Sequence, residues 1–385
     1  MINYEKIINT YGTPTYVFDT NTLLSRVNYL KSKFNGCNIV YAVKANTFIS
    51  GEISDHVERF EICSPGEFEI CNKLKLPHDK MVISGVNKDK NFIEELISKY
   101  DDILIYTIES VVHFNILKEL SEKYNRTINV LIRLTSGNQF GVSEEDFRYI
   151  LDNLSDLMNF KGIEYFSGTQ KHSIKKINKE VDYLLEFATN IENDYNIELE
   201  EIEFGPGLPI YYFQDDEFDE EEFLTEVNET LKKLKKYTVS LEIGRSIASS
   251  CGSYLTSVVD LKSNKNGNFV ILDGGMNHLV YYGQTMAMRV PYYDILPEKN
   301  DETVNYNLYG SLCTVNDIIV KNINTRKLNI GDTFIFKNTG AYSMTEGISL
   351  FLSRDLPKVV IITKDDEMKL VRDVQKTSIL NFPNY

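Results

Sequence analysis

A lysine that follows a buried strand is the residue of this chain best suited to covalent chemistry. Lys44 comes directly after the apolar run Asn38–Val43. Burial disfavours the charge of an amine and lowers its pKa, which helps the amine to form a Schiff base with a carbonyl compound. A lysine at a strand end can instead extend its ammonium group into water. The residues that follow the neighbouring strands are therefore needed to decide between these interpretations.

Residues 38–243 alternate between short strand-like runs and amphipathic segments of helical period. The predicted strands are Asn38–Val43, Arg59–Cys63, Met81–Ser84, Ile103–Thr107, Ile128–Leu134, Ile163–Phe166, Glu201–Phe204 and Val239–Ile243. Strands that alternate with helices indicate parallel βαβ units. Eight such units predict an α/β fold, a (β/α)8 TIM-like barrel, in which functional residues lie at the carboxyl ends of the strands.

The predicted carboxyl ends of these strands carry glycines, polar residues and charged residues. The candidates are Lys44, Ser84, Arg133, Gly168, Thr169, Gln170, Gly205, Gly207, Glu242, Gly244 and Arg245. Random scatter would place about half of such residues at the opposite face of the barrel. We therefore predict that they surround one site.

Two of the loops have the composition of a phosphate-binding site. Gly205-Pro206-Gly207 lets backbone N–H groups approach an anion closely, and Gly244-Arg245 places a guanidinium beside a second turn. These loops follow the seventh and eighth strands, where barrels often bind phosphate. A phosphate opposite a lysine indicates pyridoxal phosphate (PLP), and Glu242 would then pair with the protonated pyridine nitrogen. The alternative for Glu242 is an ion pair with Arg245.

The composition argues against several classes of function. Lys and Arg number 41 against 56 Asp and Glu, so the net charge of −15 argues against nucleic acid or an anionic membrane as partner. No apolar run reaches membrane-spanning length and the amino terminus lacks a signal-peptide pattern, which predicts a cytoplasmic protein. The five cysteines lack CxxC spacing and the five histidines lack ligand spacing, so no metal site is expected.

After Arg245 the sequence becomes rich in strands without intervening helices. The predicted strands are Ser253–Lys262, Asn268–Leu272, Val315–Lys321, Thr333–Lys337 and Val359–Thr363. The run Thr15–Asp19 is expected to add a further strand to them. The predicted organisation is a PLP-binding barrel over residues 24–244 and a mostly antiparallel β-sandwich or β-barrel domain formed by residues 1–23 and 245–385.

Several motifs, in order along essentially the whole chain, resemble those of one enzyme family. They are Tyr41-Ala42-Val43-Lys44-Ala45-Asn46, Ser64-Pro65-Gly66-Glu67, Ser84-Gly85-Val86-Asn87-Lys88, Leu241-Glu242-Ile243-Gly244-Arg245, Asp273-Gly274-Gly275-Met276-Asn277, Gly310-Ser311-Leu312-Cys313 and Gly340-Ala341-Tyr342. The chain resembles the fold-type III PLP-dependent decarboxylases, the diaminopimelate/ornithine decarboxylase family, whose fold is alanine racemase-like. Related racemases place an arginine opposite the pyridine nitrogen, so Glu242 favours decarboxylation.

The resemblance implies a role in cofactor binding for individual residues. Lys44 would be joined covalently to PLP, and Glu242 would pair with the pyridine nitrogen. Phe166 stands where the family has a histidine that stacks on the cofactor ring, and an aromatic face can still stack there. The residues implied for the phosphate group and its surroundings are Ser84, Gly168, Gly205, Gly207, Gly244, Arg245 and Tyr342.

The resemblance also implies a homodimer with shared active sites. Cys313 would come from the partner subunit of a head-to-tail dimer and would protonate the substrate carbon after CO2 leaves. A partly exposed thiol is a reasonable acid for that step. An isolated cysteine is more often inert, and it is the setting of Cys313 within the segment Gly310–Asp317 that supports catalysis.

Some positions depart from the family pattern in ways that affect the expected substrate. Thr314 replaces the acidic residue that follows the cysteine in diaminopimelate and ornithine decarboxylases. Tyr281 and Tyr282 stand where the diaminopimelate enzymes have an arginine, and Leu352 replaces an asparagine. A pocket without these charges should bind free diamino acids poorly. The residues expected to contact substrate are Arg133, Thr169, Gln170, Thr314 and Asp317.

The segments Asp273–His278 and Ser311–Thr314, with Gly283-Gln284 and Arg289, resemble a narrower branch that decarboxylates aminoacyl groups held on carrier proteins. We therefore predict decarboxylation of an amino acid tethered to an acyl or peptidyl carrier protein. A basic cluster, made of Lys171, His172, Lys175 and Lys176, could meet such an acidic partner or form an ordinary solvated helix face. The alternatives are a decarboxylase of free diaminopimelate or another diamino acid, a racemase on the same scaffold, and a catalytically silent PLP-binding regulator.

Overall fold

The computed structural model describes residues 2–100 and 103–383. In chain order its strands are β1 (Thr15–Asp19), β2 (Asn38–Ala42), β3 (Arg59–Ile62), β4 (Met81–Ile83), β5 (Ile105–Ile108), β6 (Ile128–Arg133), β7 (Met158–Phe166), β8 (Glu201–Gly205), β9 (Thr238–Ile243), β10 (Gly252–Asn264), β11 (Gly267–Leu272), β12 (Tyr293–Leu296), β13 (Thr303–Tyr309), β14 (Ile318–Arg326), β15 (Thr333–Lys337), β16 (Lys358–Ile362) and β17 (Met368–Arg372). Its α-helices are α1 (Tyr4–Tyr11), α2 (Thr20–Lys33), α3 (Pro65–Lys73), α4 (Lys90–Lys99), α5 (Val111–Tyr124), α6 (Glu144–Asp152), α7 (Ile174–Tyr195), α8 (Glu220–Leu231) and α9 (Arg245–Ala248).

Within the described residues, strands β2 to β9 close into a parallel barrel. The circle is completed by β2 and β9, which pair in parallel with Val40 opposite Glu242. Side chains alternate along each strand between the barrel interior and the surrounding helices. The predicted (β/α)8 barrel is confirmed, and each predicted strand overlaps one of β2 to β9, although β7 begins at Met158 rather than at Ile163.

Polar residues begin several of the helices that follow barrel strands. The hydroxyl groups of Ser64, Ser110 and Ser143 accept backbone N–H groups in the first turns of α3, α5 and α6. A cap of this kind contributes about 1 kcal/mol and sets where the loop at the strand end gives way to the helix. Among the described residues no helix is both long and apolar enough to span a membrane.

The strands outside the barrel form a second, mostly antiparallel sheet structure. β1 lies between β10, to which it is antiparallel, and β16, to which it is parallel. Its core includes Val17, Leu255, Ile335 and Val360, with Ile7 of α1 packed among them. The predicted β domain is therefore confirmed, and so is the contribution of the amino-terminal run Thr15–Asp19 to its sheet.

One predicted strand of this domain begins later than expected. Val315–Lys321 was expected to be extended, whereas β14 starts at Ile318 and continues to Arg326. The Asp317 carboxylate accepts the backbone N–H groups of Leu312 and Met276, at 2.7 Å each. These bonds hold residues 310–317 as a compact loop, which prevents a strand there.

The chain divides into two compact units, whose borders differ from the predicted 24–244 barrel mainly at one segment. One unit contains Met1–Arg26, Ile210–Phe218 and Ala248–Tyr385, and the other contains Val27–Pro209 and Asp219–Ile247. Residues 210–218 belong with the β strands because Phe213 bridges to Pro291 and Arg289 pairs with Asp215 and Asp216. This excursion between β8 and α8 was not predicted from the sequence.

Candidate active site

Lys44 lies in a short turn that follows β2, between two buried carboxylates. Its Nζ atom is 2.7 Å from Oε2 of Glu61 and 3.2 Å from Oε1 of Glu242. The Cys63 thiol lies 3.7 Å from the same nitrogen. Both carboxylates are buried, whereas the Lys44 side chain is 36% exposed. The amine is therefore held by charge pairing at the barrel end and still accessible to a ligand.

The barrel register explains why one carboxylate stands on each side of this amine. β2 is flanked by β3 and β9, and Glu61 lies opposite Ala42 while Glu242 lies opposite Val40. Glu61 sits between the apolar residues Phe60 and Ile62, so alternation directs its side chain to the other face of the strand from theirs. Two neighbouring strands thus deliver one acidic side chain each to the amine of the strand between them.

The two carboxylates differ in their affinity for a proton. Burial raises the pKa of Glu242 to about 8, and the nearby Glu61 charge adds to this effect. Burial also raises the pKa of Glu61, but the Lys44 ammonium and hydrogen bonds from Glu242 and Lys44 lower it by more, to about 2. The opposite directions of the two shifts favour a proton on Glu242 and an ionised Glu61 beside Lys44 at neutral pH.

A second group of buried charges continues around the barrel. Arg133 at the end of β6 pairs with Glu109 at 3.1 Å and with Glu164 of β7 at 3.3 Å. Burial raises the pKa of Glu164 to about 7 despite the facing Arg133. Arg133 is therefore part of a buried ionic network, and its expected contact with substrate stays a prediction.

The acidic oxygens at this end of the barrel form a compact group. One oxygen each from Glu61, Glu164 and Glu242 lies within 4.8 Å of the others, a spacing that a metal ion could also use. The cations that face these oxygens belong to the protein, because Lys44 pairs with Glu61 and Glu242 and Arg133 pairs with Glu164. The cluster is thus organised around an amine and a guanidinium.

The loops after β7 and β8 meet in a glycine-lined cradle. A Cβ at position 207 would collide with the carbonyl oxygen of Gly168, and Gly207 has φ of +61°, a conformation that favours glycine. A Cβ at position 205 would collide with the ring of Phe166. The close packing of these two loops therefore requires glycine at both positions, and phosphate binding at the cradle stays a prediction.

Arg245, the first residue of α9, reaches the same cradle. Its Nε atom donates to Oγ1 of Thr169 at 3.2 Å, which places the guanidinium beside the Gly168 loop. The hydroxyl of Thr169 therefore accepts a hydrogen bond from Arg245, and its expected contact with substrate stays a prediction. Gln170 follows with φ of +53°, and Gly244 directly precedes α9.

Ser84 follows β4 and is buried in the same barrel end. Its N–H donates to the carbonyl oxygen of Ile62, and its hydroxyl accepts a hydrogen bond from Thr107 at 3.3 Å. Ser84 thereby connects β3, β4 and β5 at their carboxyl ends. The structure brings together the predicted residues of the barrel, namely Lys44, Ser84, Phe166, Gly168, Gly205, Gly207, Glu242, Gly244 and Arg245, at one end of it.

In the β unit, Cys313 is an exposed free thiol at the tip of a loop organised by Asp317. The buried Asp317 carboxylate accepts the N–H groups of Leu312 and Met276. A Cβ at Gly275 or at Gly310 would collide with that carboxylate. Asp317 thus shapes the loop that contains Cys313 and Thr314, and its expected contact with substrate stays a prediction.

Tyrosines at two predicted positions have different surroundings. Tyr281 is buried, and its hydroxyl donates to the carbonyl oxygen of Lys337 at 2.6 Å. It therefore fills the core of the β unit at a position where the family resemblance implied a substrate-binding arginine. Tyr342, implied for the phosphate, has φ of +63°, and its carbonyl oxygen accepts the N–H groups of Thr345 and Glu346.

Two features of the site were not predicted from the sequence. Glu61 was missed, although an acidic residue at an inward position recurs in four barrel strands, as Glu61, Glu164, Glu203 and Glu242. Lys171 was grouped with the exposed His172, Lys175 and Lys176, but it is buried. The alternation of acidic residues inside apolar strands was the signal that would have identified Glu61.

Comparison with known proteins places this site in a family. The model for the pyridoxal-dependent decarboxylase C-terminal sheet domain, of the ornithine, diaminopimelate and arginine decarboxylases, matches residues 15–340. The chain belongs to the PLP-dependent amino-acid decarboxylases. It is 26% identical to the L-glutamyl-[BtrI acyl-carrier protein] decarboxylase of Niallia circulans, over 94% of this chain and 91% of that protein. It is 27% identical to a diaminopimelate decarboxylase of Bacteroides thetaiotaomicron, over 91% of this chain and 95% of that protein.

Solved structures of this family share the fold. Diaminopimelate decarboxylase from Helicobacter pylori, complexed with L-lysine, superposes with a TM-score of 0.84 at 23% identity and covers 98% of each chain. The enzyme from M. jannaschii, also with L-lysine, superposes with a TM-score of 0.86 and covers 97% of this chain and 92% of that chain. The alanine racemase-like, fold-type III architecture is therefore confirmed.

The residues of the barrel end fit the cofactor of this family, PLP. The Lys44 amine can bind an aldehyde, the proton on Glu242 can be shared with a pyridine nitrogen, and the cradle of Gly168, Gly207 and Arg245 suits a phosphate. Each requirement is met by a group that the barrel already holds in place.

Proposed function

We propose that Lys44, Glu242 and the glycine cradle form the PLP site of a decarboxylase whose substrate is an amino acid held on a carrier protein. The observation that carries the cofactor assignment is the pairing of Lys44 with buried Glu242 and Glu61 at 3.2 and 2.7 Å. An accessible amine and a protonated carboxylate close to it are the two groups that a pyridine aldehyde requires.

The chain's own residues have distinct tasks in this proposal. PLP, when bound, withdraws electrons from the Cα of the amino acid, so that the bond to the carboxylate can break. Lys44 would hold PLP through its aldehyde carbon, with release of water, and Glu242 would hold the ring nitrogen by sharing its proton with it. Glu61 keeps its negative charge near the Lys44 nitrogen. Phe166, which packs on Gly205, offers an aromatic face to the ring.

The phosphate group of PLP is assigned to the glycine cradle. Gly168 has open space beside its Cα and leaves room for an anion to approach the backbone, while Gly205 and Gly207 let the loops after β7 and β8 pack closely. Arg245 supplies the positive charge. Ser84, Gly244 and Tyr342 complete the assignment, the last from the resemblance to the family. A guanidinium that is already oriented by Thr169 needs little rearrangement to bind a phosphate.

Cys313 is proposed to act as the acid that protonates Cα after CO2 leaves. Its thiol is exposed at a loop tip, next to Val315, which is 85% exposed. Met286 and Met288 of the same unit are 74% and 67% exposed. Exposed apolar residues of this kind mark a surface that another protein covers. We assign that surface to a second copy of this chain in a homodimer with shared active sites.

The proposal of a carrier-bound substrate is supported by uncharged residues at positions where diaminopimelate and ornithine decarboxylases have charged ones. Thr314 follows Cys313 in place of a carboxylate, and its hydroxyl accepts the N–H of Asn316 at 3.3 Å. Tyr281 is part of the core and presents no cation for a distal carboxylate. The relative from Niallia circulans is named for a carrier-bound glutamyl substrate. A substrate whose far end is attached to a carrier does not require a charged partner there.

Measurement of CO2 release from free and carrier-bound amino acids tests this proposal. The purified protein is incubated with PLP and with free diaminopimelate, ornithine, lysine or glutamate, and in parallel with an acyl carrier protein loaded with glutamate or another amino acid. Turnover with a loaded carrier and little turnover with the free compounds is expected. Rapid release of CO2 from free diaminopimelate would show that the carrier assignment is wrong.

Decarboxylation of a free diamino acid is the second candidate. It is favoured by the diaminopimelate decarboxylases among the relatives, which match over nearly the whole chain. It requires a cation for the distal carboxylate of diaminopimelate from residues other than Tyr281. The same set of incubations distinguishes this candidate from the carrier-bound one.

A further inference from the structure

Lys171 is a buried cation directly behind the glycine cradle. It lies in the loop between β7 and α7, and its side chain is only 2% exposed. Its backbone N–H donates to the carbonyl oxygen of Gly207 at 2.9 Å. Its Nζ atom donates to the carbonyl oxygen of Gly205 at 3.2 Å. One residue therefore binds both glycines of the β8 loop.

The stem of Lys171 also contacts the cradle. A Cβ added to Gly207 would lie 3.1 Å from Cε of Lys171, so the lysine packs against the turn as well as bonding to it. Its Nζ atom lies 5.3 Å from the ring centre of Phe204 and 5.9 Å from that of Phe166, distances at which a cation is attracted to an aromatic face. The ammonium is thus enclosed by the ends of β7 and β8.

Glu180 of α7 supplies the countercharge for Lys171. Its Oε2 atom is 2.7 Å from Nζ of Lys171, and its other oxygen accepts a hydrogen bond from Ser167. Burial lowers the pKa of Lys171, and the bond to Glu180 opposes this effect. Ser167, Glu180 and Lys171 thereby connect the loop that contains Gly168 to the loop that contains Gly207.

The positive end of this ion pair is the end that contacts the cradle. The Lys171 ammonium bonds to the Gly205 carbonyl oxygen, whereas Glu180 of α7 bonds to Lys171 and to the Ser167 hydroxyl. A cation at short range in a poorly solvated environment attracts a phosphate more strongly than an exposed lysine does. The expectation that Lys171 belongs to a solvated basic surface is therefore wrong.

We propose that Lys171 is a positioning residue for the phosphate cradle and sets the preference of this protein for the phosphorylated form of pyridoxal. This inference rests on the proposed assignment of Gly168, Gly207 and Arg245 to the phosphate. Lys171 acts through the backbone of the β8 loop and through its charge, and it has no part in the bonds that change during decarboxylation.

The test compares the affinities of the protein for PLP and for pyridoxal, which lacks the phosphate group. Both dissociation constants are measured by absorbance titration of protein stripped of cofactor, for the wild type and for Lys171→Met. Lys179→Met is the control, because Lys179 is exposed on α7. The Lys171→Met variant should bind PLP at least about tenfold more weakly, as expected for loss of a charge-assisted bond, while its affinity for pyridoxal changes little.

A double variant keeps the test decisive if Lys171→Met leaves Glu180 unpaired and destabilises the fold. Lys171→Met combined with Glu180→Leu removes both charges and retains the packing, and it should show the same selective loss of PLP affinity. Equal loss of affinity for PLP and pyridoxal, or an unchanged preference for PLP, would contradict the role of Lys171. A wild type that binds both compounds equally would show that the cradle itself is wrongly assigned.

Discussion

The Nζ atom of Lys44 lies 2.7 Å from Oε2 of Glu61, a buried carboxylate on the adjacent barrel strand. Glu242 pairs with the same ammonium group at 3.2 Å, and its raised pKa beside the lowered pKa of Glu61 favours Glu242 as the site of the proton. This division of charge is present before any cofactor binds. A protonated Glu242 can donate a hydrogen bond to the pyridine nitrogen of PLP.

The stability of the cofactor-free protein should fall as pH rises from about 5 to about 8. The pKa of Glu242 is raised to about 8 and that of Glu164 to about 7 in the folded chain, so both groups bind protons more tightly when folded. Such groups stabilise the fold below the pKa of the unfolded chain and lose that contribution as pH rises through the folded pKa. Glu61 has the opposite shift, and its effect falls below this window.

Urea unfolding at several pH values measures this dependence. The slope of unfolding free energy against pH should be less negative in Glu242→Gln, by up to about 1.4 kcal/mol per pH unit for the loss of one titrating site. Glu229→Gln, at an exposed residue of α8, provides a control for the charge change. An identical slope in the wild type and in Glu242→Gln would show that Glu242 is ionised across this range.

Glu242→Gln should also retain PLP but decarboxylate slowly. An amide has no proton to give to the ring nitrogen and no negative charge to pair with it, so the ring becomes a weaker acceptor of electrons. We expect a fall in kcat of about a hundredfold or more, similar to the loss of a fixed electrostatic partner in other active sites. The measurement is steady-state CO2 release at saturating substrate, and a kcat within a factor of about two of the wild type would oppose this role.

Asp317→Ala should disorder the Cys313 loop without loss of PLP from the barrel. It removes the acceptor for the N–H groups of Leu312 and Met276, which costs about 1–3 kcal/mol for the unsatisfied donors. The variant should have a lower unfolding midpoint and reduced turnover, with the absorbance of bound PLP unchanged. Asp317→Asn keeps one acceptor oxygen, so its unfolding midpoint and turnover should lie between those of the wild type and of Asp317→Ala. Full turnover in Asp317→Ala would mean that the loop needs no such support.

Cys313→Ala should separate cofactor binding from turnover. The thiol is exposed in the β unit and is none of the groups proposed to hold PLP, so PLP should bind normally. Turnover should collapse, by about a hundredfold or more, because the acid that protonates Cα is lost. Cys37→Ser, at the end of the turn before β2, is the matched control. Unchanged product formation by Cys313→Ala would exclude the thiol as that acid.

The sequence was sufficient to predict the barrel because its strands and helices differ in period. Runs such as Asn38–Val43 and Glu201–Phe204 are apolar and short, and the charge-laced segments between them have helical spacing. Glycine and proline also identified the cradle, because Gly205-Pro206-Gly207 forms a turn that few other sequences permit. In the β unit, β12, β13 and β17 were missed because they are short or rich in polar residues, and pairing with neighbours stabilises them.

The remaining errors concern side chains whose environment depends on distant residues. In the sequence, Glu61 cannot be distinguished from an ordinary polar residue of a strand. The register of β2 and β3, which sets Glu61 opposite Ala42, is what brings it beside Lys44. Lys171 is followed in the sequence by the polar residues His172, Lys175 and Lys176, a pattern that is typical of an exposed segment. Its burial is explained by the ion pair with Glu180 on α7. The role of Asp317 in shaping the Cys313 loop was not predicted, because the two glycines and two N–H groups that it contacts come from separate segments of the chain. Such tertiary pairings leave no local periodicity in the sequence.

The central claim is that the Lys44 amine is the point of covalent attachment of PLP, and chemical reduction followed by peptide mapping tests it most directly. The protein is incubated with PLP, treated with borohydride to fix the linkage, digested and examined by mass spectrometry. The predicted result is one pyridoxyl phosphate group on the peptide that contains Lys44, and none on that peptide in Lys44→Ala. Attachment at a different lysine, such as the buried Lys88 or Lys171, with Lys44 unmodified, would contradict it.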